Sequence, residues 1–271
     1  MIRKSSKYWT IGEIDATGVR GPHEIELQNI SKAKYALFTN IERNMLKKIV
    51  ENSLGGKIEN IGFNEDWTIT IEMFPAVNIH LVYTYYGDEF GDDIEAEFKF
   101  LLSGERVFWI PGEDSATYID LIMDLLENKI KNKEPFEKQF DTKTDLMKKV
   151  LVQRREPFKF LRENDKEGLT EFLGAKVWKT IEGWKIKKEI FPEIFIELTW
   201  NQQNLLDISY SGTNLQKNIS SYHVELIGIF MINHILRYIT ITNKDQNLPD
   251  ICFIMFSRLF TKQMDWQHRR R

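Results

Sequence analysis

The sequence predicts an α+β fold built by tandem duplication of a helix, antiparallel sheet, helix unit, and three internal matches carry that expectation. The segment Trp67-Thr-Ile-Thr-Ile-Glu-Met-Phe-Pro-Ala-Val-Asn-Ile-His-Leu returns as Trp184-Lys-Ile-Lys-Lys-Glu-Ile-Phe-Pro-Glu-Ile-Phe-Ile-Glu-Leu, with Trp67/Trp184, Glu72/Glu189, Pro75/Pro192 and Leu81/Leu198 matching at a constant offset of 117. Upstream, Leu54-Gly-Gly-Lys57 answers Leu173-Gly-Ala-Lys176; downstream, 115–122 answers 220–227. Three matches in one chain order favour duplication over chance, and a repeat governs the fold assignment.

Each copy opens with a helix, expected over 31–52 and 157–172. Each of these ends at a Leu-Gly pair, where Gly can take the left-handed C-cap conformation. Segments of period two follow at 67–72 and 77–85 in the first copy and at 184–189 and 194–200 in the second. Their Ile, Val, Thr and aromatic content argues half-buried antiparallel strands. Pro75 and Pro192 cannot donate to a ladder, so each marks the break between two strands. Further strands are expected at 94–102, 107–110 and 205–210. A closing helix is expected at 115–130 and again at 220–238, with Ser115 and Ser220 as N-caps whose hydroxyls accept from free first-turn amides.

The boundaries that follow are 1–130 for the first repeat with its N-terminal extension, 131–162 for a charged connector, 163–241 for a degenerate second repeat, and 242–271 for a C-terminal extension with a basic tail. A chain of 271 residues with 42% hydrophobic and 28% charged residues has ample material for buried cores. The formal charge of −3 hides opposed regions: 129–166 holds 12 basic residues against 7 acidic, whereas 85–127 holds 12 acidic residues against Lys99 and Arg106. Such regions face one another or water. The most apolar stretch, 224–241, carries Glu225, His234 and Arg237, which reads as a buried helix rather than a membrane span. The single cysteine, Cys252, lies in an apolar run, so the expected setting is the reducing cytoplasm with a buried, unreactive thiol. The first ten residues are basic without an apolar run, so no signal peptide is expected there.

The sharpest chemical candidate is the acidic group Asp88, Glu89, Asp92, Asp93, Glu113 and Asp114. Clustered carboxylates hold a hard cation such as Mg²⁺ or Ca²⁺ or split their pKa values for acid/base work, although the spacing is not that of the twelve-residue calcium loop. A solvated turn, with Glu113 and Asp114 complementing a helix dipole, explains the same residues structurally and is the favoured reading. Arg154 and Arg155, with Trp266, Arg269, Arg270 and Arg271 of the tail, are the candidates for a partner or for nucleic acid, where a tryptophan can stack on a base. His223 and His234 stand eleven apart, too far for the usual zinc spacing, and read as packing. His80 reads as part of a polar strand face. No GxGxxG, GxxxxGK[ST], GxSxG, HExxH or CxxC motif occurs.

Leu54-Gly-Gly, Phe74-Pro-Ala-Val-Asn-Ile-His-Leu-Val-Tyr, Gly87-Asp-Glu-Phe90 and Val107-Phe-Trp-Ile-Pro-Gly-Glu-Asp114 resemble an uncharacterised prokaryotic domain family of anaerobic bacteria and archaea, over about 54–126. The resemblance implies a fold and a cellular setting and brings no assigned activity. The second copy departs from it, with Asn201-Gln-Gln-Asn204 in place of the acidic turn and no Pro-x-Glu-Asp element before Ser220. Duplication without a catalytic signature leads to the expectation of a non-catalytic cytoplasmic binding or assembly module, its partner another protein. The alternatives are a metal-dependent enzyme or regulator using the first copy's acidic group, and a weak nucleic-acid binder using the connector and tail.

Overall fold

A computed structural model describes residues 8–87, 95–133, 143–215 and 219–264. The chain divides into two compact units: Met1–Lys133 with Ser257–Leu259, and Glu134–Phe256 with Phe260–Arg271. The fold is α+β, and each unit carries one four-stranded antiparallel meander. In the first, β1 (Lys57–Glu59), β2 (Trp67–Phe74), β3 (Val77–Tyr85) and β4 (Ala96–Ser103) lie in that order. In the second, β5 (Lys176–Lys179), β6 (Gly183–Phe191), β7 (Ile194–Asn201) and β8 (Leu206–Ser211) repeat it.

The duplication reaches the backbone. The β2–β3 register slips between Glu72 and Phe74, and the β6–β7 register slips between Glu189 and Phe191, at the same offset of 117. Pro75 and Pro192 sit in the two-residue hairpins, each followed by a residue in the left-handed region, Ala76 at φ +63° and Glu193 at φ +62°. After the fourth strand of each sheet comes a glycine that the hairpin requires. At Gly104 (φ +112°) a Cβ would lie 2.1 Å from the Ala76 carbonyl oxygen, and at Gly212 (φ +132°) one would lie 1.9 Å from that of Glu193. Both carbonyls accept a backbone hydrogen bond just beyond, from Arg106 and from Asn214.

Eight α-helices occur among the described residues. In the first unit, α1 (Ile11–Ile14) and α2 (Pro22–Lys34) pack on β4, α4 (Gly112–Ile130) packs against both of them, and α3 (Arg43–Ile49) packs against α4. On the first sheet the Trp67 and Tyr83 rings stack at 4.5 Å, with Phe38 and Phe98 completing an aromatic cluster. In the second unit, α5 (Asp145–Arg154) packs on β8, α6 (Asp165–Leu173) on β5, and α7 (Ser221–Thr242) against both helices and Ile208 of β8; α8 (Arg258–Gln263) is divided between the two units. Trp184 and Trp200 face each other across β6 and β7 where Trp67 and Tyr83 do in the first sheet.

The Leu-Gly helix ends are as expected: Gly55 and Gly174 cap their helices at φ +65° and +59°. Ser220 caps α7 by accepting from the His223 amide at 3.2 Å. α7 is buried along most of its length, and its polar residues are engaged inside the unit. Glu225 accepts from the backbone amide and hydroxyl of Thr144, and Arg237 donates from Nε to the Met255 carbonyl at 2.6 Å. His234 stacks on Phe172 at 4.3 Å, a packing role.

Other expectations need correction. The helix expected over 31–52 is two helices, because Pro22 starts α2 in its first turn, where a missing N–H costs nothing, and the chain tightens into a 3₁₀ turn at Tyr35–Leu37 before α3. The helix expected over 157–172 is a 3₁₀ turn, Glu156–Phe160, followed by α6. The strand expected at 107–110 is a 3₁₀ turn, Val107–Trp109, since Arg106 and Val107 are already committed to the turn after Gly104. α4 begins at Gly112, so Ser115 lies inside its first turn and bonds back to the Pro111 carbonyl rather than capping. Its start is capped from elsewhere: Asp15 Oδ1 accepts from the Gly112 amide at 3.0 Å, and Oδ2 lies 2.6 Å from His23 Nδ1. A Cβ at Gly112 would fall 2.3 Å from that carboxylate, so glycine is required for the cap to reach.

Candidate functional site

The two sheets share a backbone, and they differ in what happens on the face turned away from the helices. On the first sheet that face is covered. Thr68, Thr70, His80, Val82, Leu101 and Ser103 project from it and all are buried. The cover is the chain itself. The Tyr8 ring meets His80 edge-on at 5.0 Å and Phe63 at 5.5 Å, and Trp9 pairs with Leu102 beyond the β4 edge. The β1–β2 loop is held down by Glu65, whose carboxylate accepts from the amides of Ile61 and Phe63 and from the Thr68 hydroxyl. Burial pushes the Glu65 carboxyl up, but those donors outweigh it and hold the group below the usual carboxylate range.

Under this cover runs a polar chain across the strands. Ser103 Oγ is 2.8 Å from His80 Nε2, and His80 Nδ1 is 2.8 Å from Thr70 Oγ1. Burial raises the Glu59 carboxyl, and hydrogen bonds from Lys57 and Thr70 more than offset it. The hydroxyl–imidazole spacing is that of a nucleophile and its base. Yet His80 is 4% and Ser103 7% exposed, sealed by Tyr8, so the chain satisfies buried polar groups. His80 lies on the polar strand face that alternation indicates, and the cover makes that face a second core.

On the second sheet the same face is open. At the constant offset, Thr68 becomes Lys185, Thr70 becomes Lys187, Asn78 becomes Phe195, His80 becomes Glu197 and Val82 becomes Thr199, while Glu59 is answered by Trp178. None of these second-copy residues is buried. With Thr170, Gly174 and Ala175 from the end of α6, the side chains of Lys176, Trp178, Lys187, Glu189 and Phe195 line a groove of about 650 Å³. Trp178 remains 39% exposed.

The electrostatics of this groove are distinctive. Lys176 and Lys187 stand directly opposite one another across β5 and β6, an arrangement of like charges that destabilises a sheet unless an anion lies between them. Neither has a carboxylate partner among the described residues, whereas neighbouring Lys185 pairs with Glu197 at 2.8 Å and Lys188, on the other face, donates to the Leu173 carbonyl. The Lys187 ammonium lies 4.7 Å from the Phe195 ring centre, a cation–π contact that holds it over the groove. The lining supplies two unneutralised cations and two aromatic surfaces, with no histidine, cysteine or serine among them. It is equipped to bind an anionic group beside an apolar one. A second groove, on the first unit along α2, differs: its cation, Lys34, is already engaged by Asp124 and Glu127.

Of the residues singled out from sequence, Asp88, Glu89, Asp92 and Asp93 lie outside the described residues, as do Trp266, Arg269, Arg270 and Arg271. Glu113 and Asp114 occupy the first turn of α4, the former exposed and the latter buried. Among the described residues no group of three or more His, Cys, Asp or Glu side chains is placed to hold a metal ion. Arg154 and Arg155 end α5 and are half-buried rather than displayed. The groove was not singled out from sequence. Its signal lay in the alignment of the two copies, where hydroxyl positions in one strand become lysines in the other. Comparisons with protein-family models, with curated proteins and with solved structures returned no match.

Proposed function

We propose that the protein is a non-catalytic binding module of two α+β repeats, working in the cytoplasm, whose second repeat uses its open sheet face to take up an extended anionic segment of a partner protein. One observation carries this reading: the sheet face that the first repeat covers with its own Tyr8 and Phe63 is left open in the second and carries lysines and aromatics instead. The apolar rings Trp178 and Phe195 suit an apolar side chain, and Lys176 and Lys187 suit carboxylates flanking it. Two lysines beside a glutamate are too few cations for a polynucleotide track, whose affinity rests on many phosphate contacts. The lone Cys252, fully buried with its thiol pushed up to about 12 by burial, supports a reducing setting.

The test is a titration of the full chain with a fluorescein-labelled Glu-Asp-Phe-Glu-Asp-Phe peptide, followed by fluorescence anisotropy. Saturable binding that weakens with salt is expected, lost in Lys187→Thr, which installs the residue of the first copy, and kept in Lys57→Thr on the covered sheet. Equal binding by all three proteins, or displacement of the peptide by oligothymidylate, would overturn the reading.

A further inference from the structure

The groove calls for an apolar side chain set among several carboxylates, and residues 88–93 make such a segment. Residues 88–93 read Asp-Glu-Phe-Gly-Asp-Asp, four carboxylates around a single phenylalanine. The two copies have diverged in a complementary manner. The first keeps this acidic segment and has Thr68 and Thr70 where the second has Lys185 and Lys187. The second has Asn201-Gln-Gln-Asn204 in place of the acidic segment and has gained the lysines, Trp178 and Phe195. Each copy retains one half of a charge-complementary pair.

Building on the open face as the binding surface, we propose that the Lys176/Lys187 groove receives the acidic segment 88–93 of a second copy of this chain. Phe90 supplies the apolar group for Trp178 and Phe195, and the flanking carboxylates neutralise the two lysines that stand opposite each other across β5 and β6. Such a contact joins different surfaces on the two molecules. It therefore propagates head to tail and closes into a ring or continues as a filament, rather than forming a two-fold dimer. Opposite charges across the contact set its register and its salt dependence.

Sedimentation velocity on the full chain tests this, over concentrations up to about 100 μM and at two salt concentrations. The wild-type chain is expected to sediment as species larger than a monomer as concentration rises, and less so at high salt. Lys187→Glu alone, and the double change Asp92→Lys with Asp93→Lys alone, should each remain monomeric without loss of melting temperature. An equimolar mixture of those two variants should associate again, because the unaltered lysine groove of one meets the unaltered acidic segment of the other. A wild-type chain that stays monomeric throughout, association that both variants preserve, or a mixture that fails to associate would each overturn the proposal. If the chain is monomeric while the labelled acidic peptide still binds through Lys187, the second-copy inference falls and the binding-module reading stands. If the peptide also fails to bind, both fall.

Discussion

Replacing Gly104 by alanine tests the conformational basis of the repeat. Gly104 sits at φ +112°, a region that L-residues rarely enter, and its missing Cβ would approach the Ala76 carbonyl oxygen to 2.1 Å, well under the 3.0 Å that real Cβ atoms respect. Conformational strain contributes about 1–3 kcal/mol. The backbone shift needed to relieve the overlap disturbs the Arg106 amide to Ala76 carbonyl bond, now 3.1 Å, adding about 1 kcal/mol. A total loss of about 2–4 kcal/mol is expected, a large share of the marginal stability of a domain. Gly62 is the control, since it also has positive φ (+95°) but nothing within 4 Å of an added Cβ, so Gly62→Ala should cost only about 1–2 kcal/mol. Urea denaturation followed by tryptophan fluorescence reads both as midpoint shifts at unchanged slope. Gly212→Ala, at φ +132° and 1.9 Å from the Glu193 carbonyl oxygen, should behave like Gly104→Ala. Equal losses for Gly104→Ala and Gly62→Ala would refute the hairpin clash as the reason for glycine.

Four further outcomes are expected. Asp15→Ala removes the carboxylate that caps α4 at Gly112 and should cost about 1–3 kcal/mol in denaturant unfolding, with Asp15→Asn milder because an acceptor oxygen remains. The Glu127 carboxyl is held down at about 2, first by Lys131 and next by Lys34. A depressed folded pKa gives stability that is present above the unfolded value near 4.5 and lost as pH falls toward 2; Glu127→Gln should flatten that acid limb by about 2 kcal/mol, allowing for the exposure of Lys131. Cys252 should resist a thiol reagent at pH 8 until the chain unfolds, and rapid stoichiometric labelling of native protein would contradict its burial. Added Mg²⁺ or Ca²⁺ should leave the melting temperature unmoved, whereas a rise abolished by Asp92→Asn with Asp114→Asn would place a cation on the first copy's acidic group.

The strands were the most legible part of the sequence. Period-two alternation around Pro75 and Pro192 marked both hairpins, and the bulges of the structure fall at the same constant offset. Leu54-Gly and Leu173-Gly marked helix ends because a left-handed cap asks for glycine. Helix starts were harder to read. Pro22 was the available signal for α2, and the four apolar residues at 107–110 are as compatible with a tight turn as with a strand. The burial of His80 depends on Tyr8 and Phe63, distant residues that fold over a face which alternation alone marks as solvated. The α4 cap is equally non-local, since Asp15 and Gly112 lie 97 residues apart.

The same contrast explains why the candidate site escaped notice. Acidic and arginine-rich runs stand out along a sequence, whereas Lys176, Trp178, Lys187 and Phe195 lie on three strands and meet only through the register of β5, β6 and β7. Their meaning comes from comparison with the first copy, where the equivalent positions are a lysine paired with glutamate, a threonine hydrogen-bonded to His80, and an asparagine. Once duplicated, a sheet can keep one face as a second core and open the other to a partner, with the helix-packed face common to both.

The central claim is that the open face of the second sheet is where a partner binds, and the seven tryptophans provide a direct reading of it. The indole N–H resonances of the ¹⁵N-labelled full chain, with that of Trp178 assigned through Trp178→Phe, are followed as the Glu-Asp-Phe-Glu-Asp-Phe peptide is added. The Trp178 resonance is expected to move in a saturable manner while that of Trp67, buried in the first unit, stays in place. Movement at Trp67 with Trp178 unmoved, or no movement at either, would contradict the claim.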